Sequence, residues 1–597
     1  MILQALTQYY ETLLAQGRLS PPGWDSAFKV SYGLELGDDG SLIQLIPYLQ
    51  SQQFGKKTAL APRAMRAPAH VTRSSGIAAN FLCDTCTYLL GADAKGKPAR
   101  AKDCFAACAA LHCEILKDVG SPAARAVLAF FGSWQPDAAA EHPLLAEAWN
   151  EITGNANLVF CYDMQPVTED PAIAAAWQRY YSQSSAGAAT VQCLVTGKQA
   201  PLARLHPMIK GVTGAQSSGA ALVSFNGPAF NSYGHEQGEN APVGDYAAFA
   251  YTTALNALLA DRGHRQTIGD TTVVCWAEHG ETAYQDAGIA ALFGPPQGVT
   301  DQDLRSLLGK LAEGEPADWQ GAALQPGEHF YFLGLAPNAA RLSVRFFLRD
   351  TFGDFIKNLN QHYSDIEIIH PSFDDFEYLP LWKLLQETVN QNSRSKDAAP
   401  QLSGDVLRAI LTGTPYPATL LNGVQLRILA EREVTRGRAA IIKGYYLRLA
   451  RMGKSQIPEE VLQMELNPNS TDIPYTLGRL FYIYERIQKE ANRNRDGSYR
   501  NLNATVKDKF FIAASTTPAL IFPSLNDLSK SHLRVAYRVS PEEAAKLELD
   551  LIKLSCVVGN SYPARFSLPE RGSFQLGYYF EKQNFYQSSK KEETENV

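Results

Sequence analysis

No stretch of this 597-residue sequence approaches the roughly eighteen consecutive apolar residues that a membrane-spanning helix needs. The opening Met-Ile-Leu-Gln-Ala-Leu-Thr also lacks the basic region that begins a secretory signal. A cytoplasmic protein with no membrane partner is expected. His-Glu-x-x-His, the EF-hand loop and the dinucleotide fingerprint are all missing, and scattered acid pairs such as Asp374-Asp375 have no supporting context. The nine cysteines are an odd number in a large chain, which favours free thiols over a disulfide framework and leaves stability to packing. An excess of positive charge is lacking too. Lys and Arg total 55 against 61 Asp and Glu, a net charge of −6 that excludes a globally basic nucleic-acid coat but leaves room for local basic stripes.

Several near-matches to catalytic motifs fail on one decisive residue. Gly91-Ala-Asp-Ala-Lys-Gly96-Lys97 copies the phosphate-loop spacing but continues with Pro98, where Ser or Thr would hold magnesium. Gly453-Lys454-Ser455 supplies the other half, with Arg448 where the first glycine belongs. Ala215-Gln216-Ser217-Ser218-Gly219 approximates a nucleophile elbow, but it precedes the strand-like run from Ala220 to Phe225, whereas an elbow follows its strand. A hydrolase using Ser217 or Ser218 is therefore the alternative, and the loop reads better as a set of small hydrogen-bonding groups. Gly214, Gly219 and Gly227 allow close backbone approach, and Gln216, Ser217, Ser218 and Asn226 offer groups suited to phosphates or base edges. Cys83-x-x-Cys86 with Cys104 and Cys108 comes near a zinc-ribbon spacing, with His112 and Cys113 to spare. Residues 101–119 read as a helix, however, so Cys104 and Cys108 sit one turn apart on an alanine-rich face and are accounted for as core. Neither a metal nor a cofactor is expected; a zinc-stabilised adaptor is the reading this spacing leaves open.

The apolar periodicity predicts an amphipathic helix over residues 2–15, then a hairpin in which Lys29-Val-Ser-Tyr-Gly-Leu-Glu-Leu turns at Gly37-Asp-Asp-Gly40 and resumes as Ser41-Leu-Ile-Gln-Leu-Ile. Short strand-like runs recur at 157–162, 192–195, 220–225, 271–276 and 329–335 with helical stretches between them, which gives an α+β body over residues 1–390. A polar linker follows at 391–402, then a mainly helical domain over 403–597. Ser540 and Glu543 have the spacing of a capping box at one of its helix starts, and the charged tail from Ser588 to Val597 has no apolar face and is expected to lack structure. Within the helical domain Arg427, Arg432, Arg436, Arg438, Lys443, Arg448, Arg451 and Lys454 face only Glu431 and Glu433 in the local sequence. A solvated helix would interleave the two signs, so the segment is a candidate phosphate-facing stripe.

Local runs along nearly the whole chain, in order, resemble the large-subunit family of the type I-C CRISPR surveillance complex. They include Pro22-Gly-Trp24, Arg73-Ser-Ser-Gly-Ile-Ala-Ala-Asn-Phe-Leu-Cys83-Asp, and Ile209-Lys-Gly-Val-Thr-Gly-Ala-Gln-Ser-Ser-Gly-Ala-Ala-Leu-Val-Ser-Phe-Asn226. Asn240-Ala-Pro-Val, Tyr246-Ala-Ala-Phe-Ala-Tyr, Tyr475-Thr-Leu-Gly-Arg-Leu-Phe and Asn503-Ala-Thr-Val-Lys-Asp-Lys-Phe-Phe extend the resemblance. It implies a non-catalytic subunit that reads a short protospacer-adjacent motif on double-stranded target DNA, assists duplex opening and holds the displaced strand. The guide RNA is shared with backbone and RNA-processing subunits, and cutting falls to a recruited helicase-nuclease. It also implies a small helical subunit made from the same gene by internal translation, for which Met464 to Val597 is the candidate product and Met452 the other possible start. On chemical grounds the motif and duplex candidates are Lys29, Arg73, Ser74, Ser75, Gly76, Asn80, Lys210, Gln216, Ser217, Ser218 and Asn226. For a DNA strand the candidate track is the stripe just named together with Arg479, Arg486, Arg493, Arg495, Arg500, Lys507 and Lys509.

Overall fold

The computed structural model describes all residues except 55–56, 72, 74–75, 93–96, 155, 185–188, 295–298, 372–373, 375, 377, 391, 395–397, 495 and 596–597. Ser74, Ser75, Gly96, Asp375, Arg495 and Val597 thus lie outside the described residues. The chain divides into two compact units, one of residues 1–208 and 223–255, the other of residues 209–222 and 256–597.

In the first unit the expected hairpin forms, with Tyr32–Leu36 antiparallel to Leu42–Pro47. Lys29 instead belongs to the preceding strand Trp24–Val30, which pairs with Lys57–Pro68 in a separate three-stranded sheet. Tyr32–Leu36 also runs parallel to Asn157–Tyr162, which joins distant parts of the chain into a five-stranded sheet. Gly40 is required at the hairpin turn: its φ is +79°, and a Cβ there would lie 2.2 Å from the backbone nitrogen of Phe130. Helices Pro98–Leu116, Pro122–Ser133 and Pro171–Ser184 contribute to one core containing Phe81, Phe130, Phe160 and Trp177.

The second unit is built on an antiparallel sheet in the order Gln266–Ile268, Thr271–Ala277, His329–Asn338, Arg341–Thr351. Phe330 and Phe332 on this sheet pack against Phe355 of the helix Phe352–Ile366. The core then continues without interruption from Ile268 through Phe580. The break expected at 391–402 is therefore not a boundary of the core, because Phe352–Ile366, before it, packs on Leu402–Thr412 and Arg436–Arg451, after it. Residues 220–225 do not form a strand; Ala220 and Ala221 make only isolated bridges. The capping box at Ser540 is also not formed. Pro541 starts that helix, the Ser540 hydroxyl donates to Glu490, and Glu543 faces Arg486 at 3.9 Å. The C-terminal helix Leu568–Glu595 runs through most of the tail that was expected to lack structure. It crosses Ile473–Ala491 backbone to backbone, since a Cβ on Gly478 would lie 1.9 Å from the carbonyl oxygen of Phe574, and one on Gly577 would lie 2.0 Å from that of Tyr475. Small residues at the crossing let the two helices approach this closely. The architecture is α+β.

Candidate nucleic-acid interface

The glycine-rich segment Ile209–Leu222 belongs to the second unit and is tied to its sheet at many points. Ile209 and Ala220 exchange two backbone hydrogen bonds of 2.9 Å, closing the base of the loop. The Ala221 carbonyl accepts from Leu342, and its N–H donates to Ala340. Along the ascending limb the Lys210 N–H donates to Asn256 Oδ1 at 2.8 Å, Arg265 donates to the Gly211 carbonyl at 3.0 Å, and the Thr213 N–H donates to Thr272 Oγ1 at 3.0 Å. Gly211, Gly214 and Gly219 take φ values of +92°, +78° and +103°, which is why glycine recurs here. The tip turns as the Gly219 N–H bonds the Gln216 carbonyl, leaving Gln216, Ser217 and Ser218 exposed, as is Lys210. One amide, two hydroxyls and an ammonium on a buttressed loop can hydrogen-bond base edges and neutralise a phosphate. Among the described residues neither serine hydroxyl hydrogen-bonds a histidine or a carboxylate, so a nucleophile at Ser217 or Ser218 would have no base beside it. Asn256, Thr272 and Arg265 were missed in the sequence. Nothing local marks them, since they act only once the sheet has formed.

In the first unit Arg73 is engaged with other parts of the chain. Its guanidinium forms a bidentate pair with Asp84, whose side chain is 2% exposed, donates from Nε to the Ala78 carbonyl and lies 3.9 Å over the Tyr88 ring. Asn80 is buried, and its Oδ1 accepts the Val71 N–H at 2.9 Å. Gly76 is exposed at φ +86°. Lys29 and Asn226 are exposed.

The basic stripe is not a surface stripe. Arg436, Arg438, Lys443 and Arg448 are buried on the helix Arg436–Arg451, and each meets acceptors from another part of the second unit. Arg436 pairs with Asp374 at 3.1 Å, Arg438 with Glu387 at 3.3 Å and with Glu431, and Arg448 with Asp365 at 2.9 Å. Lys443 donates to the Asp365 carbonyl at 3.0 Å, and burial pulls its ammonium down to about 8. Arg479 and Arg486 are likewise buried, against Glu581 and Glu490 at 2.7 Å each. Of the remainder, Arg427 pairs with Glu431, Arg451 with Asp365, Arg493 with Glu490 and Lys507 with Glu433, while Arg432 is half-buried. Lys454, Arg500 and Lys509 stand exposed, so the track shrinks to scattered cations.

The cysteine-rich helix contains a buried histidine. His112 is fully enclosed, accepts the Leu82 N–H at Nε2 (2.8 Å) and lies 2.7 Å through Nδ1 from the Cys108 carbonyl, which fixes the proton on Nδ1. Cys83, Cys86, Cys104 and Cys108 are buried, and among the described residues no group of three His, Cys, Asp or Glu side chains could hold a metal ion. Burial pushes His112 down from 6.5 to about 4. Between those two values the unfolded chain takes up a proton that the folded one refuses. The stability contributed by keeping His112 neutral is therefore expected to be full above pH 6.5 and to decline by ~3 kcal/mol as pH falls through the window. Urea melts at pH 7 and pH 4.5 should differ more for the wild type than for His112→Gln, whose amide can both donate and accept; equal differences would contradict this assignment.

Among the described residues no helix is long and apolar enough to cross a membrane. Comparison with curated proteins finds none that matches. The family described as CRISPR-associated protein (Cas_Csd1) matches residues 6–586, nearly the whole chain; the protein belongs to that family, which supplies the large subunit of the type I-C Cascade complex.

Proposed function

We propose that this protein is the non-catalytic subunit of its complex that recognises the protospacer-adjacent motif on double-stranded DNA, helps open the duplex and supports recruitment of the helicase-nuclease. Sequence recognition beyond the motif then falls to the guide RNA, held jointly with the backbone and RNA-processing subunits in the cytoplasm. The observation that carries this reading is the buttressed loop at Ile209–Leu222, with Lys210, Gln216, Ser217 and Ser218 exposed on it. A rigid support matters because base readout depends on hydrogen bonds placed to fractions of an ångström. Phosphate contact by Lys210 would set position, and the amide and hydroxyls at the tip would carry discrimination; Lys29, in the first unit, is a separate candidate for phosphate contact. Lys454, Arg500 and Lys509 are the cations left for a displaced strand. Residues 464–597, or 452–597, are the candidate for a separate small helical subunit.

The test is equilibrium binding of the assembled complex to duplexes with and without the motif, over a salt series. Lys210→Ala should weaken binding to both duplexes and reduce the salt slope by about one unit. Gln216→Ala with Ser217→Ala and Ser218→Ala should lower discrimination roughly ten-fold or more, with the slope unchanged. Unaltered discrimination in that triple variant would remove the loop from motif reading.

A further inference from the structure

Two of the contacts that hold the ascending limb of the glycine-rich loop come from one short stretch of chain. Asp261, His264 and Arg265 lie in the turn before the strand Gln266–Ile268, in the same unit as the loop. Arg265 Nη1 donates to the carbonyls of Gly211 at 3.0 Å and Leu259 at 3.1 Å, and Thr267 Oγ1 lies 3.0 Å from Thr213 Oγ1. The turn is closed on itself, since the Arg265 N–H donates to the Asp261 carbonyl and the Gly263 N–H to Asp261 Oδ1, both at 3.0 Å. At its centre His264 bridges two carboxylates: Nδ1 meets Asp261 Oδ2 and Nε2 meets Asp286 Oδ1, each at 2.7 Å, with only 12% of the His264 side chain exposed. Asp286 stands on the helix Thr282–Phe293, which Gln285 Nε2 ties to the strand Thr271–Ala277 by donating to the Cys275 carbonyl at 2.8 Å. An ionised carboxylate can only accept, and a neutral imidazole has one N–H. Two carboxylates at bonding distance from the two ring nitrogens therefore call for the imidazolium, which donates from both.

We propose that His264, as an imidazolium bridging Asp261 and Asp286, is the positioning residue for the glycine-rich loop, holding the turn that carries Arg265 against Gly211. This rests on the motif-reading role proposed for that loop above. With both ring protons in place the turn is tied to its own start, at Asp261, and to a helix anchored on the sheet, at Asp286. When the ring gives up one proton as pH rises, one nitrogen turns a lone pair toward a carboxylate oxygen, and that bond becomes a repulsion. One tie of the two remains, and the loop loses rigid support at Gly211 and Thr213. The charged groups facing the ring are the two carboxylates. Burial pushes Asp261 up, but the His264 bond and charge, with the Gly263 and His264 N–H groups, outweigh it and hold the carboxyl below its ordinary range. Arg262 flanks the ring in sequence, and Arg265 is turned to the Gly211 and Leu259 carbonyls. On the strand beneath, the Cys275 thiol is pushed up by burial and by the Asp286 charge.

The experiment follows three signals over one pH series. They are the His264 ring resonance in the full chain with labelled histidine, assigned by its absence from His264→Gln; the hydrogen-exchange protection of the Lys210 and Thr213 amides, corrected for intrinsic exchange; and motif discrimination by the assembled complex. In the wild type, protection should fall roughly three- to ten-fold with the same midpoint as the ring, the loss of one charge-assisted bond partly open to water, and discrimination should fall with it. His264→Arg keeps a charge and two donating edges, and should stay protected across the series. His264→Gln has no charge and should be poorly protected throughout, which tests the clamp at any single pH. A merely structural histidine would shift the melting temperature of the variants and leave the two amides level across the titration. Protection that stays level while the ring titrates, or His264→Gln as protected as the wild type, overturns the proposal. Discrimination that stays level while protection follows the ring leaves the clamp standing and removes the loop from motif reading, so the two failures are distinguishable.

Discussion

Asp365→Ala should destabilise the second unit by about 3–5 kcal/mol, the range for removing one partner of a buried charge pair. The Asp365 side chain is fully enclosed and receives Arg448 Nε at 2.9 Å, Arg451 Nη1 at 3.1 Å and Gln361 Nε2 at 3.1 Å. Arg448, 2% exposed at its side chain, also donates to the carbonyls of Ala409 and Thr414. Without the carboxylate those bonds remain but the buried guanidinium loses its counter-charge, with Lys443 close by adding to the repulsion. Replacing both partners should therefore be milder than replacing one: Asp365→Ala with Arg448→Met should recover part of the loss, so the two substitutions are strongly non-additive. Denaturant melts of the four proteins in the cycle measure this directly. If Arg448→Met alone leaves stability unchanged and lowers DNA affinity, Arg448 belongs to a strand track after all and the buried assignment is wrong.

A polypeptide of residues 452–597 should fold cooperatively, whereas one of residues 464–597 should be less stable by about 5 kcal/mol or more. The segment between the two methionines is part of the helical bundle. Ile457, Val461 and Leu462 are buried, and a Cβ on Gly572 of the C-terminal helix would lie 3.3 Å from Ile457. Burying three aliphatic side chains of this size contributes about 1.5–3 kcal/mol each. Glu460 adds a polar latch: its Oε1 accepts the Ser470 hydroxyl at 2.9 Å and the Thr471 N–H at 3.0 Å, just ahead of the helix Ile473–Ala491. Both fragments lose the reciprocal Gln425–Gln575 amide pair and the Glu433 carboxylate that holds Lys507 and Lys582. The difference between them therefore isolates residues 452–463. Circular dichroism melts giving equal midpoints would contradict the assignment and leave Met464 as good a start as Met452.

What the sequence revealed, and what it hid, follows from the range of the interactions. The hairpin of Tyr32–Leu36 and Leu42–Pro47 was legible because alternation and a Gly-Asp-Asp-Gly turn are local signals. The exposed tip at Gln216 to Ser218 was legible for the same reason, from glycines that permit positive φ and small polar residues between them. The basic helix misled. Its scarcity of nearby acids suggested a phosphate-facing surface, but its main counter-charges Asp365, Asp374 and Glu387 lie some fifty to eighty residues upstream, beyond any i, i+4 rule. The linker misled differently: a polar run reports exposure of a loop and says nothing about whether the helices on its two sides share a core, as these do. Arg73 shows the limit of reading residues by type, because its partner Asp84 could not be read from the sequence.

The most direct test of the central claim is binding of the guide-loaded complex, assembled with and without this chain, to duplexes that carry or lack a candidate adjacent motif, at several salt concentrations. The account predicts that motif discrimination disappears when the chain is left out while non-specific, salt-sensitive binding persists. Discrimination that survives its omission would make the chain a scaffold and contradict the DNA-reading function.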